Sequence, residues 1–367
     1  MDCYILIVPI EIINIIIEDV GVKYSIYFTA TCKFFFNNVN IYNLWEENVT
    51  RAHQNKKNIT LLKQKRFQNV MSLNMQYCDI GNIAYLSNLT KLNINMARDY
   101  FNQNSITKLS KLKYLTMNSN YCVTNISHLT SLVYLEACDS ALKDIYNLNN
   151  LTYLRLRTND YINDISHLTL LTYLDTNISL KNINNLNNLH TLKITYDICL
   201  DDIKYLRNLT DLQIINSSID QSNFEKITNL KKLKIRATPN IHYIGHLTNL
   251  TYLDISCPYA TVKIGQDSLS ILSNLHTLII TFNSQIIDIS HMTRLTCLDI
   301  RYTPGITQNS INCLVNLTDL KIHSVANILN ISQLSALTCL QINKFMYNIN
   351  QNGIKILTNL INLNILE

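Results

Sequence analysis

The 367 residues include six Gly, four Pro and one Trp, and only 16% of them are charged. So little Gly and Pro excludes flexible or proline-rich linkers, collagen-like repeats and glycine loops that cradle phosphates, and it leaves little material for tight turns. With 47% hydrophobic residues the chain is not disordered. The net charge of +5 is dispersed and forms no concentrated basic stripe, so no nucleic-acid partner is expected. Ten Cys are scattered without a C-x-x-C pair, which fits a reducing compartment better than a disulfide framework. The apolar first twenty residues lack a basic start and a small-residue cleavage site, and they carry Asp2 and Glu11. They read as neither signal peptide nor membrane span, so a cytoplasmic protein without a membrane partner is expected. G-x-S-x-G, H-E-x-x-H, Walker A and dinucleotide fingerprints are all missing, and neither catalysis, a cofactor nor a metal site is expected.

What is present is Asn and Ile, 50 and 51 residues, with 22 Lys against 9 Arg. AT-rich codons produce this skew without selection on the protein, and would suit a large DNA virus or an AT-rich protist; for a virus the location becomes the host cytoplasm. Eleven N-x-S/T sequons occur, five of them because one repeat position reads N-L-T.

From residue 67 onward the chain repeats the unit I-x-x-L-x-x-L-x-x-L-x-I, with starts at Leu86, Leu109, Leu129 and on to Leu357, and a degenerate first copy at Phe67. About fifteen units follow one another at intervals of 18 to 25 residues. Apolar positions three apart drift by about 60° per step on a helix and cannot form one amphipathic face. Only the last pair, as in Leu253-Asp254-Ile255, has the period of two that a strand requires. Each unit is therefore a short strand and a returning coil, with room on its outer side for short 3₁₀ or irregular turns. One such unit buries too little to fold alone, so stability comes from stacking.

This pattern resembles the short, internalin-type class of leucine-rich repeats. The resemblance implies an α/β solenoid, a right-handed horseshoe or arc with a parallel β-sheet on its concave face. The family's ladder asparagine is kept at Asn120, Asn159 and Asn283, replaced by a hydroxyl at Ser140, Ser179, Ser217, Thr238 and Thr303, and abandoned at Pro258.

Residues 1 to 50 stand apart from the repeat. Pro9 opens an apolar helical stretch that Gly21 stops, a second apolar run spans Tyr24 to Phe36, and Leu44-Trp45 closes the segment. The order Val8-Pro9-x-Glu11-Ile12-x-x-x-Ile16, then Thr31-Cys32-Lys33-x-Phe35, then Leu44-Trp45 resembles the F-box, a small all-α module. That resemblance implies docking on a Skp-type adaptor of a cullin–RING ubiquitin ligase through Val8, Pro9, Ile12, Ile16, Phe35 and Trp45. A plain helical cap for the array is the competing reading. Residues 51 to 66 form a basic connector, read as a solvated link.

Two outward columns flank the strand leucines. One reads Glu136, Arg155, Asp175, Lys193, Gln213, Lys234, Asp254, Ile279, Asp299 and Lys321; the other carries Tyr114, Tyr134, Tyr153 and Tyr173, and later Tyr252. Four Tyr beside Glu136, Arg155, Arg157 and Asp175 have the composition of a protein-binding hot spot, though a ladder of cross-strand pairs would serve structure alone. His128, His167, His246 and His291 share one column, too far apart for a common zinc ion, and are expected at exposed turns. The last residues, Leu363 to Glu367, read as an uncapped strand able to pair with a second copy. The expected function is a non-enzymatic substrate adaptor of a Skp–cullin–F-box ligase that holds a target protein on its concave face. The alternative is a leucine-rich scaffold with no ligase link.

Overall fold

A computed structural model describes residues 43–44, 68–75, 82–97, 101–196, 203–256, 263–323, 328–343, 349 and 354–366. The expectations for Val8, Pro9, Ile12, Ile16, Phe35, Trp45, the basic connector and Pro258 lie outside the described residues. Two compact units divide between Leu180 and Lys181. Each is a parallel-sheet solenoid in which consecutive strands are neighbours.

The first unit orders β1 (Asn43–Leu44), β2 (Ser72–Asn74), β3 (Lys91–Asn93), β4 (Tyr114–Thr116), β5 (Tyr134–Glu136), β6 (Tyr153–Leu156) and β7 (Tyr173–Thr176). From β2 onward the strand leucines align in register, Leu73, Leu92, Leu115, Leu135, Leu154 and Leu174. Asn43 and Leu44 pair in parallel with Ser72 and Leu73, which corrects the all-helical expectation at these two positions. The open edge of β2 supplies backbone donors and acceptors that an extended segment satisfies.

The second unit continues with β8 (Thr191–Thr195), β9 (Asp211–Ile215), β10 (Lys232–Arg236), β11 (Tyr252–Asp254), β12 (Thr277–Ile279), β13 (Cys297–Asp299), β14 (Asp319–Lys321), β15 (Cys339–Asn343) and β16 (Asn362–Leu366). In both units the Leu and Ile columns form the core, most of them with no accessible surface. Leu363 and Ile365 of β16 occupy the same columns but are 45% and 53% exposed.

The returning coils differ from expectation. Among the described residues two carry 3₁₀ turns, Ile183–Asn185 and Ile203–Tyr205, but four carry one turn of α-helix: α1 (Gln103–Ile106), α2 (Gln221–Phe224), α3 (Gln266–Leu269) and α4 (Gln308–Asn312). Each helix opens on Gln and turns an apolar fourth residue inward. The Gln amide then clamps the following coil: Gln266 Nε2 donates to the Asp288 carbonyl (2.8 Å), and its Oε1 accepts from the Ile287 and Asp288 N–H groups (both 3.0 Å). Gln103, Gln221 and Gln308 repeat the arrangement.

The N-L-T motif is a second clamp, directed at the preceding coil. Asn150, Asn208, Asn249 and Asn316 donate through Nδ2 to carbonyls of Thr130, Asn187, Thr228 and Thr293, at 2.7 to 3.3 Å. The threonine two residues on also donates backwards, as Thr152 does to Val133 and Thr251 to Lys231. The recurring sequons are thus hydrogen-bonding elements of the array.

The internal asparagine ladder is partial, as its sequence implied. Asn120 and Asn159 each donate to a carbonyl of the preceding coil and accept from two N–H groups of their own. Thr303 substitutes by donating to the Ile280 carbonyl (2.7 Å), whereas the Ser140 hydroxyl donates within its own coil, to Ala137. Ser179 leaves the ladder and is exposed; Thr176 is the buried hydroxyl of that coil and accepts from the Ile178 N–H.

Scarce glycine leaves its mark at the corners after nine of the strands. Ten non-glycine residues among those described have positive φ, and nine of them stand four residues beyond a strand leucine: Met96, Ser119, Asp139, Thr158, Tyr196, Asn216, Ala237, Phe282 and Tyr302. Left-handed backbone costs an L-residue roughly 1–2 kcal/mol. Here it points eight of the nine N–H groups at the next coil, as from Ser119 to the Cys138 carbonyl and from Tyr302 to that of His323 (both 2.8 Å).

Candidate functional site

On the outward face of β4 to β7 the tyrosine column forms one row. Strand register places Tyr114, Tyr134, Tyr153 and Tyr173 side by side. Tyr134 and Tyr153 stack with centroids 4.1 Å apart, and Tyr153 and Tyr173 at 4.2 Å with planes 6° from parallel. Tyr114 is tilted by 39° at 6.0 Å. Only Tyr114 is exposed; the other three are half-buried, because each covers its neighbour. The outward tyrosine column is therefore largely self-covered.

The hydroxyl ends are linked. The Tyr134 hydroxyl donates to Glu136 Oε1 in a short hydrogen bond, and the Tyr153 phenol interacts with those of Tyr134 and Tyr173. Burial, followed by the bond to the Glu136 carboxylate, pushes the Tyr134 phenol up to about 12. Burial and the hydrogen bonds of its neighbours raise that of Tyr153 as well.

The charges beside this row close on one another. Arg155 lies 3.9 Å from Glu136 on one side and 3.3 Å from Asp175 on the other. Arg157 reaches diagonally to Asp175 Oδ1, with Nε at 2.7 Å and an Nη at 2.5 Å. Asp175 is only 4% exposed, so it acts as a fixed counter-ion within the face and offers a partner no accessible group. Glu136, Arg155 and Arg157 are half-buried.

The second unit repeats this clamp, which sequence reasoning missed. Asp254 of β11 receives Lys234 Nζ at 3.3 Å and an Arg236 Nη at 2.8 Å on the same oxygen, Oδ2. Its other oxygen accepts from the Ser256 hydroxyl (2.6 Å) and N–H (3.1 Å). Burial alone would raise the Asp254 carboxyl, but Ser256, Arg236 and Lys234 outweigh it and hold it below the usual carboxylate range. A signal existed: Arg155-Leu-Arg157 and Lys234-Ile-Arg236 each stand 18 residues before the Asp of a Tyr-Leu-Asp strand.

The histidine column has a different role from the one expected. His128, His167, His246 and His291 are half-buried, and each Nε2 donates to a carbonyl of the preceding coil, Ile106, Ile145, Phe224 and Leu269, at 2.9 to 3.1 Å. Among the described residues no group of three His, Cys, Asp or Glu could hold a metal ion, and no helix is long and apolar enough to cross a membrane.

No protein-family model and no curated protein matches the sequence. Solved structures do. An internalin of Listeria monocytogenes aligns with a TM-score of 0.57 at 22% identity, over 82% of this chain and 88% of that one. A chain of the Drosophila Toll–Spatzle complex aligns at 0.58 and 16% identity over 84% of this chain and 48% of the other. A leucine-rich-repeat protein of Leptospira interrogans covers 89% of this chain and 96% of its own, with a TM-score of 0.60 and 17% identity. The likeness is one of fold: this chain is similar to these proteins in its leucine-rich-repeat solenoid.

Proposed function

We propose that the chain is a non-enzymatic protein-binding scaffold whose face over β4 to β7 holds a target protein. The observation that carries this reading is a division of labour among side chains. Coils are held together by aliphatic columns and by Asn, Gln, His and Thr bonds, none of which uses the tyrosine row. Three stacked rings with Arg155 and Arg157 beside them give a rigid amphipathic surface, and Tyr and Arg are the residues enriched where binding energy concentrates. Rings that are already stacked lose little side-chain freedom when a partner covers them. The test is capture from lysate followed by quantitative mass spectrometry, using the full chain and its Tyr114→Ala/Tyr153→Ala variant. A specific partner should fall about tenfold or more in the variant while the thermal midpoint moves by a few degrees at most. Undiminished capture overturns the reading.

A second reading adds a ligase. The residue order Val8-Pro9, Ile12, Ile16, Phe35 and Leu44-Trp45 ahead of a leucine-rich array supports an F-box-like module that brings the target to a Skp–cullin complex. The scaffold would then act by proximity, raising the effective concentration of target lysines near the charged E2 enzyme. Co-purification with a Skp-type adaptor, lost on Ile12→Asp, is the expected result. An adaptor that is never retained, or is retained equally by the variant, leaves the simple scaffold.

A further inference from the structure

We propose that β10 is a recognition strip for an acidic segment of a partner protein. With Lys231 just before it, the strand Lys232-Leu233-Lys234-Ile235-Arg236 turns Leu233 and Ile235 into the core and presents only cations outward. Lys231 and Lys232 are exposed and carry no ion pair among the described residues, although Asp211 stands opposite Lys232 in register. Opposite Lys234 on the same side is Gln213, which is uncharged. The carboxylates of Asp211 and Asp254 face the four cations of this strip, so it keeps a net positive charge.

Asp254 organises the strip without neutralising it. Its side chain is 1% exposed, and a single oxygen holds both Lys234 and Arg236. The Arg236 side chain is 40% exposed, yet its Nε is shielded from solvent and has no hydrogen-bond partner among the described residues. Two cationic heads are thus fixed in place with donors unspent. A carboxylate arriving from outside meets groups already ordered, which lowers the entropic cost of the contact, and a guanidinium can engage it with two parallel hydrogen bonds.

The strip is sized for a short acidic stretch. Five residues of strand span roughly 16 Å, enough for two or three carboxylates of an extended chain. A nucleic acid fits less well, because a phosphate backbone needs cations continued along many coils. Here the strands on either side of the strip bring Asp211 and Asp254, which would interrupt such a track. The proposal rests on residues other than the tyrosine row and is independent of the scaffold reading.

The test uses the full chain and three fluorescein-labelled probes in anisotropy titrations at low salt: octaglutamate, a Gly-Ser octapeptide and an eight-nucleotide oligothymidylate. Octaglutamate should bind more tightly than either other probe. Lys231→Glu/Lys232→Glu should weaken it by about tenfold or more, whereas Lys108→Glu, an exposed lysine in another coil, changes it by less than about twofold. Unchanged thermal midpoints exclude a folding defect. Equal binding of octaglutamate and the Gly-Ser peptide, equal weakening by Lys108→Glu, or tighter binding of oligothymidylate each overturns the proposal.

Discussion

Two strand pairs of this chain carry the same ionic device in different surroundings. In β6–β7, Arg155 and Arg157 close on Asp175; in β10–β11, Lys234 and Arg236 close on Asp254. The geometry has one origin. On a strand, residues two apart share a face, and a strand in register brings one carboxylate within reach of both. What differs is the next column. Beyond Arg155 stands Glu136, a second acid, with stacked tyrosines alongside; beyond Lys234 stands Gln213, with Lys231 and Lys232 alongside. The first clamp therefore sits in a charge-balanced aromatic surface and the second in a cationic one. Identical clamps yield different surfaces because a repeat fixes positions while single substitutions in neighbouring columns set the charge.

Deleting the two aspartates should separate the clamps most strongly. Asp254→Ala leaves Lys234 and Arg236 facing each other without a counter-charge. Removing one partner of a fully buried pair costs about 3–5 kcal/mol, and partial exposure of these cations reduces the expectation to about 2 kcal/mol. Asp175→Ala leaves Arg155 its contact with Glu136, so about 1 kcal/mol is expected. Urea midpoints of the two variants measure the difference, and equal losses would mean that Glu136 does not compensate.

Extremes of pH should act on the two surfaces in opposite directions. Asp254 titrates below its unfolded value, so its contribution is present above about pH 4 and is lost as pH falls through the lower folded value. Tyr134 titrates above its unfolded value of about 10, so its contribution is complete below that pH and disappears as pH rises toward about 12. Difference absorbance at 295 nm should show tyrosines that ionise late, and Tyr153→Phe should shrink that late phase. In acid, Asp254→Asn should lose less additional stability than the parent chain. A parent and a variant with the same acid profile would remove Asp254 from the account.

The sequence made some of this legible and concealed the rest. Apolar columns are insensitive to detail, and Leu92, Leu115 and Leu135 stand in register as their spacing implied. Cross-strand pairing of Glu136, Arg155 and Asp175 was likewise readable, because strand register follows directly from the repeat. The diagonal reach of Arg157 and Arg236 was not, since it depends on side-chain length across two columns. Gln103, Gln221, Gln266 and Gln308 were also silent: a polar residue on an outer coil reads as solvated until the backbone groups of the next coil are seen to converge on its amide. The histidine column misled for the same reason. Its carbonyl partners lie 22 residues away, beyond any local pattern.

The corners that follow the two clamps give the finest comparison. Thr158 comes directly after Arg157 and Ala237 directly after Arg236, with φ of 51° and 49°. Glycine enters this region freely, and the Thr158 N–H bonds to Asn177 of the next coil whatever side chain stands at position 158. Substituting Gly removes the left-handed cost but adds unfolded-state entropy, so the net gain is about 0.5 kcal/mol at Ala237. A β-branched residue is more crowded there, and Thr158→Gly should gain about 1 kcal/mol even though it forfeits a 3.4 Å contact from Asn177 to the threonine hydroxyl. Differential scanning calorimetry should therefore show both variants melting above the parent, Thr158→Gly higher. A fall in melting temperature for both would mean that the corners are not strained and that scarce glycine costs the fold nothing.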